Sequence, residues 1–159
     1  MNFRVGFGFD VHPLEQGRAF QLGGINIPHH SGATGHSDAD VLLHALCDAL
    51  LGAAGLPDIG HHFPNNSPEY KNIDSKILLQ RVMELLGQRN YKVNNVDCTV
   101  VLEEPKINPF IAQMKTALAP LLFIEQDAIS IKATTNERLG YVGRKEGVCA
   151  YAVVVIVGQ

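Results

Sequence analysis

The sequence predicts an α+β fold, in which a single domain over residues 1–159 builds one mixed β-sheet and covers it with helices on one side. The length of 159 residues is typical of one domain. A composition with 46% hydrophobic and 18% charged residues supplies the core of a globular protein. Strand-like and helix-like segments follow one another in an order that is typical of the α+β class.

The first strand is predicted over residues 3–11, where apolar residues and glycine alternate irregularly. A β-hairpin is predicted next, because Ala19–Leu22 and Ile25–Pro28 flank the turn-forming pair Gly23-Gly24. Residues 29–36 are mostly polar or small and are predicted to form a loop.

A long helix is predicted to follow this loop. Ser37 is predicted to be its N-cap, with Asp40 three residues later as the partner in a capping box. The helix is expected to run to about Ala54, because Gly55–Pro57 breaks the pattern. Residues 58–70 are rich in Gly, Pro and Asn and are predicted to form a loop.

The second half of the chain is predicted to alternate helices and strands. In chain order, we predict a helix over 74–88, a strand over 91–102, a helix over 109–122, a strand over 128–133, a hairpin turn over 143–147 and a strand over 148–157. The last strand is almost continuously apolar, which is typical of a strand buried on both faces. Because a chain of this size has few helices to cover both faces, we expect an oligomer interface there.

Composition excludes several classes of protein. The chain has 13 Lys and Arg against 16 Asp and Glu, so we expect no nucleic acid partner held by bulk charge. Its three cysteines show no paired spacing and are predicted to be reduced thiols. No apolar run is long enough to cross a bilayer, so we expect no membrane partner. A cytoplasmic location is expected, or the plastid stroma if a transit peptide has been removed.

Three side chains point to a metal site. Asp10 and His12 are two positions apart on a predicted strand and therefore share a face, while His44 would reach them from the helix. A zinc ion with three protein ligands keeps a fourth position open for chemistry. Asp40 and Asp48 form a stripe with His44 and are candidates to orient its imidazole. Alternatively, Asp10 and His12 are a surface pair, and His44 is a hydrogen-bonded core residue.

Two further segments could hold phosphate. His36 and Ser37 precede the predicted helix, whose N-terminus attracts anions, although Ser37 could serve only as a cap. After a predicted strand, Thr134 and Thr135 could donate hydrogen bonds and Glu137 could bind Mg²⁺, although an ordinary polar turn has the same composition. The glycine patterns of P-loop and Rossmann proteins are absent from the sequence.

Several motifs together resemble one known family. They are Gly8–His12, His36–Val41 with His44, Asp58–Pro64, Lys132–Thr135 with Glu137, and Gly143-Arg144 with Glu146-Gly147. In this order they resemble the 2-C-methyl-D-erythritol 2,4-cyclodiphosphate synthase family of the non-mevalonate isoprenoid pathway, and they cover nearly the whole chain.

The resemblance implies a homotrimer with an active site between each pair of neighbouring subunits. It implies that Asp10, His12 and His44 bind one Zn²⁺ per subunit and that Glu137 holds Mg²⁺ or Mn²⁺ on the substrate diphosphate. His36 and Thr135 match positions credited with stabilising the transition state. An apolar channel on the threefold axis, lined from the Gly6–Phe9 and Arg144 regions, is compatible with binding an isoprenoid diphosphate.

The resemblance also implies a set of substrate contacts. The methylerythritol phosphate part would lie against Ser37, Asp58, Ile59, Gly60, Phe63, Pro64, Asn65, Asn66 and Ser67. Cytidine and its phosphate would lie against Leu102, Glu103, Glu104, Pro105, Lys106, Ile107, Asn108, Ala133 and Thr134, with Tyr141 and Arg144 as further contacts. The chain departs from the family pattern at Asn65, where an aspartate is common.

The implied reaction is an intramolecular phosphoryl transfer. The 2-phosphate of 4-diphosphocytidyl-2-C-methyl-D-erythritol 2-phosphate attacks the β-phosphorus, CMP leaves, and 2-C-methyl-D-erythritol 2,4-cyclodiphosphate forms. Two other functions remain open at this point. One is a zinc-dependent phosphoester hydrolase with Asp58 as general base, and the other is a non-catalytic trimer that binds phosphorylated ligands.

Overall fold

The structure, a computed structural model, describes residues 2–158 and has two sheets. The strands are β1 (Phe3–Gln16), β2 (Phe20–Leu22), β3 (Ile25–Ile27), β4 (Ser31–Ala33), β5 (Tyr91–Val101), β6 (Ile129–Thr134) and β7 (Gly147–Gly158). The α-helices are α1 (Val41–Ala53), α2 (Ile59–His62), α3 (Ser75–Gln88), α4 (Ile111–Leu122) and α5 (Gly140–Gly143). Single turns of 3₁₀ helix span Pro68–Tyr70, Asn108–Phe110 and Gln126–Ala128.

The larger sheet is mixed and has the strand order β4-β1-β7-β5-β6. β7 pairs antiparallel with both β1 and β5, while β5 and β6 run parallel. β2 and β3 form a separate two-stranded sheet. The predicted α+β class with one mixed main sheet is therefore confirmed.

The main helix, α1, lies directly on β1 because two glycines remove the side chains between them. A Cβ atom added to Gly6 or Gly8 would overlap the carbonyl oxygens of Ala49 or Ala45 in α1. Two strand residues advance about 6.7 Å, and four helical residues advance about 6 Å. The strand and the helix therefore stay in step, and the next inward-facing strand residue, Asp10, lies level with the first turn of α1.

Burial explains why α1 is apolar on nearly every side. Ten of its thirteen residues are buried, because the sheet packs against one side of the helix and α3 packs against another. On the opposite face, among residues 2–158, α5 covers only the end around Val101 and Cys149. Elsewhere on this face, Phe3, Val5 and Phe7 of β1 are 61%, 58% and 62% exposed.

In the single chain, the first four residues of β7 are all buried and the strand alternates in burial from Tyr151 onward, so burial of its second face by an oligomer stays a prediction. Ala152, Val154 and Ile156 are buried under the helices, whereas Tyr151 and Val153 on the other face are 38% and 40% exposed. One set of alternate side chains in this apolar run therefore packs in the core. The other set, from Tyr151 onward, lies on the sheet face that the helices leave uncovered.

Several predicted boundaries are wrong. α1 begins at Val41 with Asp40 as its N-cap, so Ser37 is not the cap and lies in the preceding loop. β1 continues to Gln16, because β4 pairs with its last three residues and takes part of the predicted loop 29–36. The short helix α2 interrupts the predicted loop 58–70. Residues 143–147 join α5 to β7 and do not form a hairpin.

Other predicted elements are confirmed. β2 and β3 meet at Gly23 and Gly24, which both have positive φ, as a two-residue hairpin turn requires. α3 and α4 match their predicted spans closely, and Asp74 caps α3 through the Lys76 N–H. The three cysteines are free and buried, as predicted. Across residues 2–158, every helix falls short of the length and apolarity needed to cross a membrane.

Substitution of Gly8 tests the contact between β1 and α1. We expect Gly8→Ala to lower the free energy of unfolding by at least about 2 kcal/mol, because backbone atoms must move apart. Gly52→Ala is the matched control, since a Cβ there meets no atom within 4 Å and Ala should stabilise the helix by about 0.5–1 kcal/mol. Urea denaturation of both variants measures the difference, and equal effects would contradict the close approach.

Candidate active site

Three potential metal ligands converge at the junction of β1 and α1. Asp10 Oδ2 lies 2.8 Å from His12 Nε2 and 3.1 Å from His44 Nδ1, and the two nitrogens are 3.0 Å apart. The side chains of Asp10, His12 and His44 are 27%, 15% and 12% exposed. The predicted triad is therefore assembled in a partly buried position, and it forms a candidate metal site.

The surroundings of His12 decide which of its nitrogens faces the triad. Its Nδ1 lies 3.0 Å from the carbonyl oxygen of Thr34. Because a carbonyl can only accept, Nδ1 carries the hydrogen and donates it. In the neutral ring, Nε2 therefore presents a lone pair to Asp10 and His44.

A partly buried chain of polar groups orients His44 in the same way. Its Nε2 lies 2.9 Å from Ser75 Oγ and 3.0 Å from Ser37 Oγ. The hydroxyl of Ser75 donates to Asp38, whose other oxygen accepts from the Ser75 backbone N–H at 3.0 Å. Ser75 can therefore accept a hydrogen bond from His44 Nε2–H, which leaves Nδ1 free to bind a cation.

This arrangement suits a bound cation. Two lone pairs and a carboxylate oxygen would repel one another at these distances unless a proton or metal ion lies between them. When protons rather than a metal ion lie between these atoms, hydrogen bonds from His12 and His44 outweigh the effect of burial and bring the pKa of Asp10 to about 2. A tetrahedral ion with bonds of about 2.1 Å needs ligand atoms about 3.4 Å apart, which small outward movements provide.

Asp40 and Asp48 do not have the contacts that were predicted for them. The fully buried carboxylate of Asp40 accepts from the backbone N–H groups of Gly23, Gly24 and Leu43, so it joins the β2–β3 turn to the start of α1. Asp48 accepts from the Ile59 N–H at 2.7 Å and positions α2. The imidazole of His44 is oriented instead by Ser37 and by Ser75 with Asp38, and nothing in the local sequence pattern identified Ser75.

The triad forms part of a cavity of about 260 Å³. Ser37 and His36 line it from the loop before α1, and the Nε2 of His36 is held 3.1 Å from the Ser67 carbonyl. The carboxylate of Asp40 already lies at the first turn of α1, where it accepts from the Leu43 N–H, so it would repel an anion bound there. The full lining is Asp10, His12, Gly35, His36, Ser37, His44, Asp48, Ile59, Gly60, Phe63, Asn65, Tyr70 and Leu78.

A second cavity, of about 220 Å³, lies where β5 and β6 end. Its lining is Leu102, Glu103, Pro105, Lys106, Ile107, Asn108, Ala133, Thr134 and Thr135, so it gathers most of the residues assigned to cytidine. Glu103 accepts from the backbone N–H groups of Asn136 and Arg138 and thereby ties the two loops together. Glu137 is exposed on the loop that follows.

The remaining candidate residues lie outside the linings of these two cavities. The Asp58 carboxylate caps α2 through the His61 N–H, and Glu104 pairs with Lys145 at 3.0 Å. Arg144 forms a two-pronged ion pair with Glu146. The others in this group are Pro64, Asn66, Ser67, Glu137 and Tyr141.

The two cavities share no lining residue. Asp10, Ala150, Val100 and Ala133 form one row across the sheet, because each is paired with the next. Three inter-strand spacings separate the ends of the row by about 14 Å. Ala150 and Val100 are fully buried between them, so packed core separates the two cavities on this side of the sheet.

Removal of the Ser75 hydroxyl tests the orientation of His44. We expect Ser75→Ala to weaken Zn²⁺ binding about 10- to 100-fold, because His44 loses a partner that fixes its tautomer. Competition with a chromophoric chelator measures the affinity, and Ser130→Ala, at an exposed serine of β6, is the control. Equal affinity in both variants would show that Ser75 has no part in the metal site.

Comparison with known proteins places the chain in a family. The family model of the YgbB family matches residues 3–157. A 2-C-methyl-D-erythritol 2,4-cyclodiphosphate synthase from Parabacteroides distasonis is 58% identical over 156 residues, which are 98% of this chain and 97% of the relative.

Solved structures agree with the sequence relatives. The bifunctional IspDF from Campylobacter jejuni superposes with a TM-score of 0.95 at 37% identity, and the match covers 99% of this chain but 43% of that longer one. A 2C-methyl-D-erythritol-2,4-cyclodiphosphate synthase with bound CDP has a TM-score of 0.90 at 38% identity, over 97% of this chain and all of that one. The chain therefore belongs to the YgbB family, whose matched relatives include 2-C-methyl-D-erythritol 2,4-cyclodiphosphate synthases.

Proposed function

We propose that this chain is a phosphorus–oxygen lyase that forms 2-C-methyl-D-erythritol 2,4-cyclodiphosphate. Its substrate is 4-diphosphocytidyl-2-C-methyl-D-erythritol 2-phosphate, and CMP is the leaving group. The observation that carries the proposal is the convergence of Asp10, His12 and His44 beside a cavity, in a chain with the family's motifs in order.

The chemistry asks little of a general base, because the attacking 2-phosphate is already an anion at neutral pH. What the reaction needs is positioning and neutralisation of charge. His36 and Ser37 line the metal cavity and offer polar contacts to the substrate's phosphates. The carbonyl of Ser67 holds His36 Nε2–H and leaves Nδ1 for the ligand. Ile59, Gly60, Phe63 and Asn65 would enclose the methylerythritol part.

The triad would hold Zn²⁺, because two imidazoles and one carboxylate are a donor set typical of catalytic zinc sites. When bound, the ion supplies Lewis-acid neutralisation of phosphate charge. Glu137 would hold Mg²⁺ or Mn²⁺ with the substrate diphosphate, since hard cations prefer carboxylate and phosphate oxygens. Thr135, beside Glu137, would donate a hydrogen bond to the phosphate that develops negative charge.

The second cavity would bind cytidine and its phosphate. Support comes from its lining, which includes Leu102–Glu103 and Pro105–Asn108, and from the relative whose structure contains CDP. Backbone groups of this loop can recognise the edge of the base, while Thr134 would contact the phosphate. Tyr141 and Arg144 would approach the ligand only on rearrangement, because Arg144 is paired with Glu146.

We also propose that the chain works as a homotrimer with each active site between two subunits. Two observations support an oligomer. Within one chain, packed core separates the metal cavity from the second cavity, which is proposed to bind cytidine. A neighbouring copy would therefore supply the second cavity to complete each active site. The uncovered sheet face also exposes Phe3, Val5 and Phe7, which a second and third copy would bury. Binding of an isoprenoid diphosphate in a central channel depends on this assembly and stays a prediction, as does a cytoplasmic location.

A phosphoester hydrolase is the strongest alternative, and the position of Asp58 argues against it. That carboxylate caps α2, and Asp58 lies outside the lining of the metal cavity, so it is badly placed to activate water. A non-catalytic binder would share the same site but would release no product.

Product release tests the proposed reaction. We expect wild-type chain to release CMP from the substrate, and Asp10→Ala or His44→Ala to reduce the rate at least about 100-fold, because a metal ligand is lost. Chromatography of the nucleotide measures the rate. Removal of metal with a chelator should have the same effect, and Zn²⁺ should restore turnover.

The control for this experiment is Asp127→Ala, which removes an exposed aspartate just before β6, at the opposite end of that strand from the second cavity. Undiminished turnover after metal removal would contradict the mechanism. Release of phosphate from generic phosphoesters would favour the hydrolase, and binding of CDP without turnover of substrate would favour the non-catalytic binder.

Disruption of the uncovered sheet face tests the assembly. Three copies of the 17.3 kDa chain have a mass of about 52 kDa. We expect Phe7→Asp to shift the mass toward that of the monomer, because a carboxylate would be buried in the interface. Light scattering coupled to size-exclusion chromatography measures the mass. Phe123→Asp is the control, since Phe123 is 83% exposed at the end of α4 and away from this face.

Mixed oligomers then test whether the site is shared. After joint refolding, inactive His44→Ala and Thr135→Ala chains should regain about a quarter of the wild-type sites if neighbouring subunits supply the two halves. No recovery in mixed oligomers of confirmed composition would place both halves in one chain.

A further inference from the structure

We propose that His29, His30 and Glu104 form a second transition-metal site, in which Lys145 takes the place of the ion when no metal is bound. One ligand atom from each of the three residues lies within 4.8 Å of the others. The group borders a cavity of about 240 Å³ whose lining shares no residue with the cavities at the triad or at the ends of β5 and β6.

The backbone brings the two adjacent histidines to the same side. His29 and His30 lie in the connection between β3 and β4, which belong to different sheets, and not within a strand. The alternation that sends neighbouring side chains of a strand to opposite faces therefore does not apply to them. Their ring centroids are 4.1 Å apart, with the planes at 55°. Glu104 reaches them from the loop that follows β5.

Lys145 is the internal competitor for this site. Its ammonium lies 3.0 Å from Glu104 Oε2, and this contact holds the pKa of Glu104 below its ordinary value. Lys145 has a φ of 61°, a left-handed conformation that favours glycine. From this position the ammonium group of Lys145 pairs with Glu104, which is the only carboxylate among the three proposed ligands.

The histidines are suited to act as neutral ligands. Burial, the neighbouring His30 and Lys145 lower the pKa of His29 against the opposing effect of Glu104. Metal binding requires the unprotonated ring, which is the main form of an ordinary imidazole near neutral pH. Two imidazoles and one carboxylate select Zn²⁺, Ni²⁺ or Cu²⁺ over Mg²⁺ or Ca²⁺.

This site should bind more weakly than the triad. His30 is exposed, and a metal ion must displace Lys145 from Glu104. The ligands of the triad are instead partly buried and pre-oriented by Thr34 and Ser75. Glu104 is also among the residues that the resemblance assigns to cytidine, but it lines this cavity and not the one at the ends of β5 and β6. The inference therefore does not depend on the proposed reaction.

Nickel binding to the full chain tests the site. Equilibrium dialysis of Zn²⁺-loaded protein against Ni²⁺ should show about one Ni²⁺ per chain, and the same Ni²⁺ should bind in a His44→Ala background that lacks the triad. His30→Ala and Glu104→Gln should each weaken this binding at least about tenfold, because one of three ligands is lost. Lys145→Gly should strengthen it about three- to fivefold, since an exposed ion pair no longer competes.

The chain offers a matched control in its other adjacent histidine pair, His61 and His62, whose ring centroids are 5.7 Å apart. His61→Ala should leave nickel binding unchanged. The proposal is overturned if His30→Ala and Glu104→Gln bind Ni²⁺ like the wild type, or if His61→Ala loses the same ion. Circular dichroism checks the fold of each variant, and His30→Gln replaces His30→Ala if that chain does not fold.

Discussion

The close contact between β1 and α1 is the constraint on which the metal site depends. Gly6 and Gly8 let the strand backbone touch Ala49 and Ala45, and the similar advance per repeat keeps the two elements in step. The same strand face therefore delivers Asp10 to the first turn of the helix, beside His44. A larger residue at either glycine would separate the elements that carry the ligands.

Three aspartates in or just before α1 have different roles near the contact between β1 and α1. Asp40 is fully buried and accepts three backbone hydrogen bonds, which offset the cost of its burial. Asp38 accepts from Ser75 and so supports the imidazole of His44. Asp48 positions α2 at the edge of the cavity, and burial raises its pKa. Three similar side chains thus serve three structural purposes, and only Asp10 is placed to bind the metal.

One face of the sheet packs against the core, and much of the other face is exposed. Helices cover the inward residues of β7, while Tyr151 and Val153 join the exposed apolar residues of β1 on the other face. The same sheet separates the metal cavity from the cavity at the ends of β5 and β6 by buried residues. The proposed homotrimer would explain both features. It would bury the exposed apolar residues of the sheet and bring the metal cavity of one subunit beside the second cavity of a neighbouring subunit.

The sequence by itself determined the α+β class and most helix and strand spans, because these depend on local periodicity. It also identified the three residues of the metal triad. Asp10 and His12 share a strand face wherever that strand lies, and His44 was recognisable from its motif. Tertiary structure alone decided that Asp40 caps α1, that Asp48 holds α2, and that Ser75 orients His44, since these hydrogen bonds join segments distant in the chain. It also decided that His29 and His30 lie near Glu104, because the loop between β3 and β4 and the loop after β5 are distant in the chain but converge there.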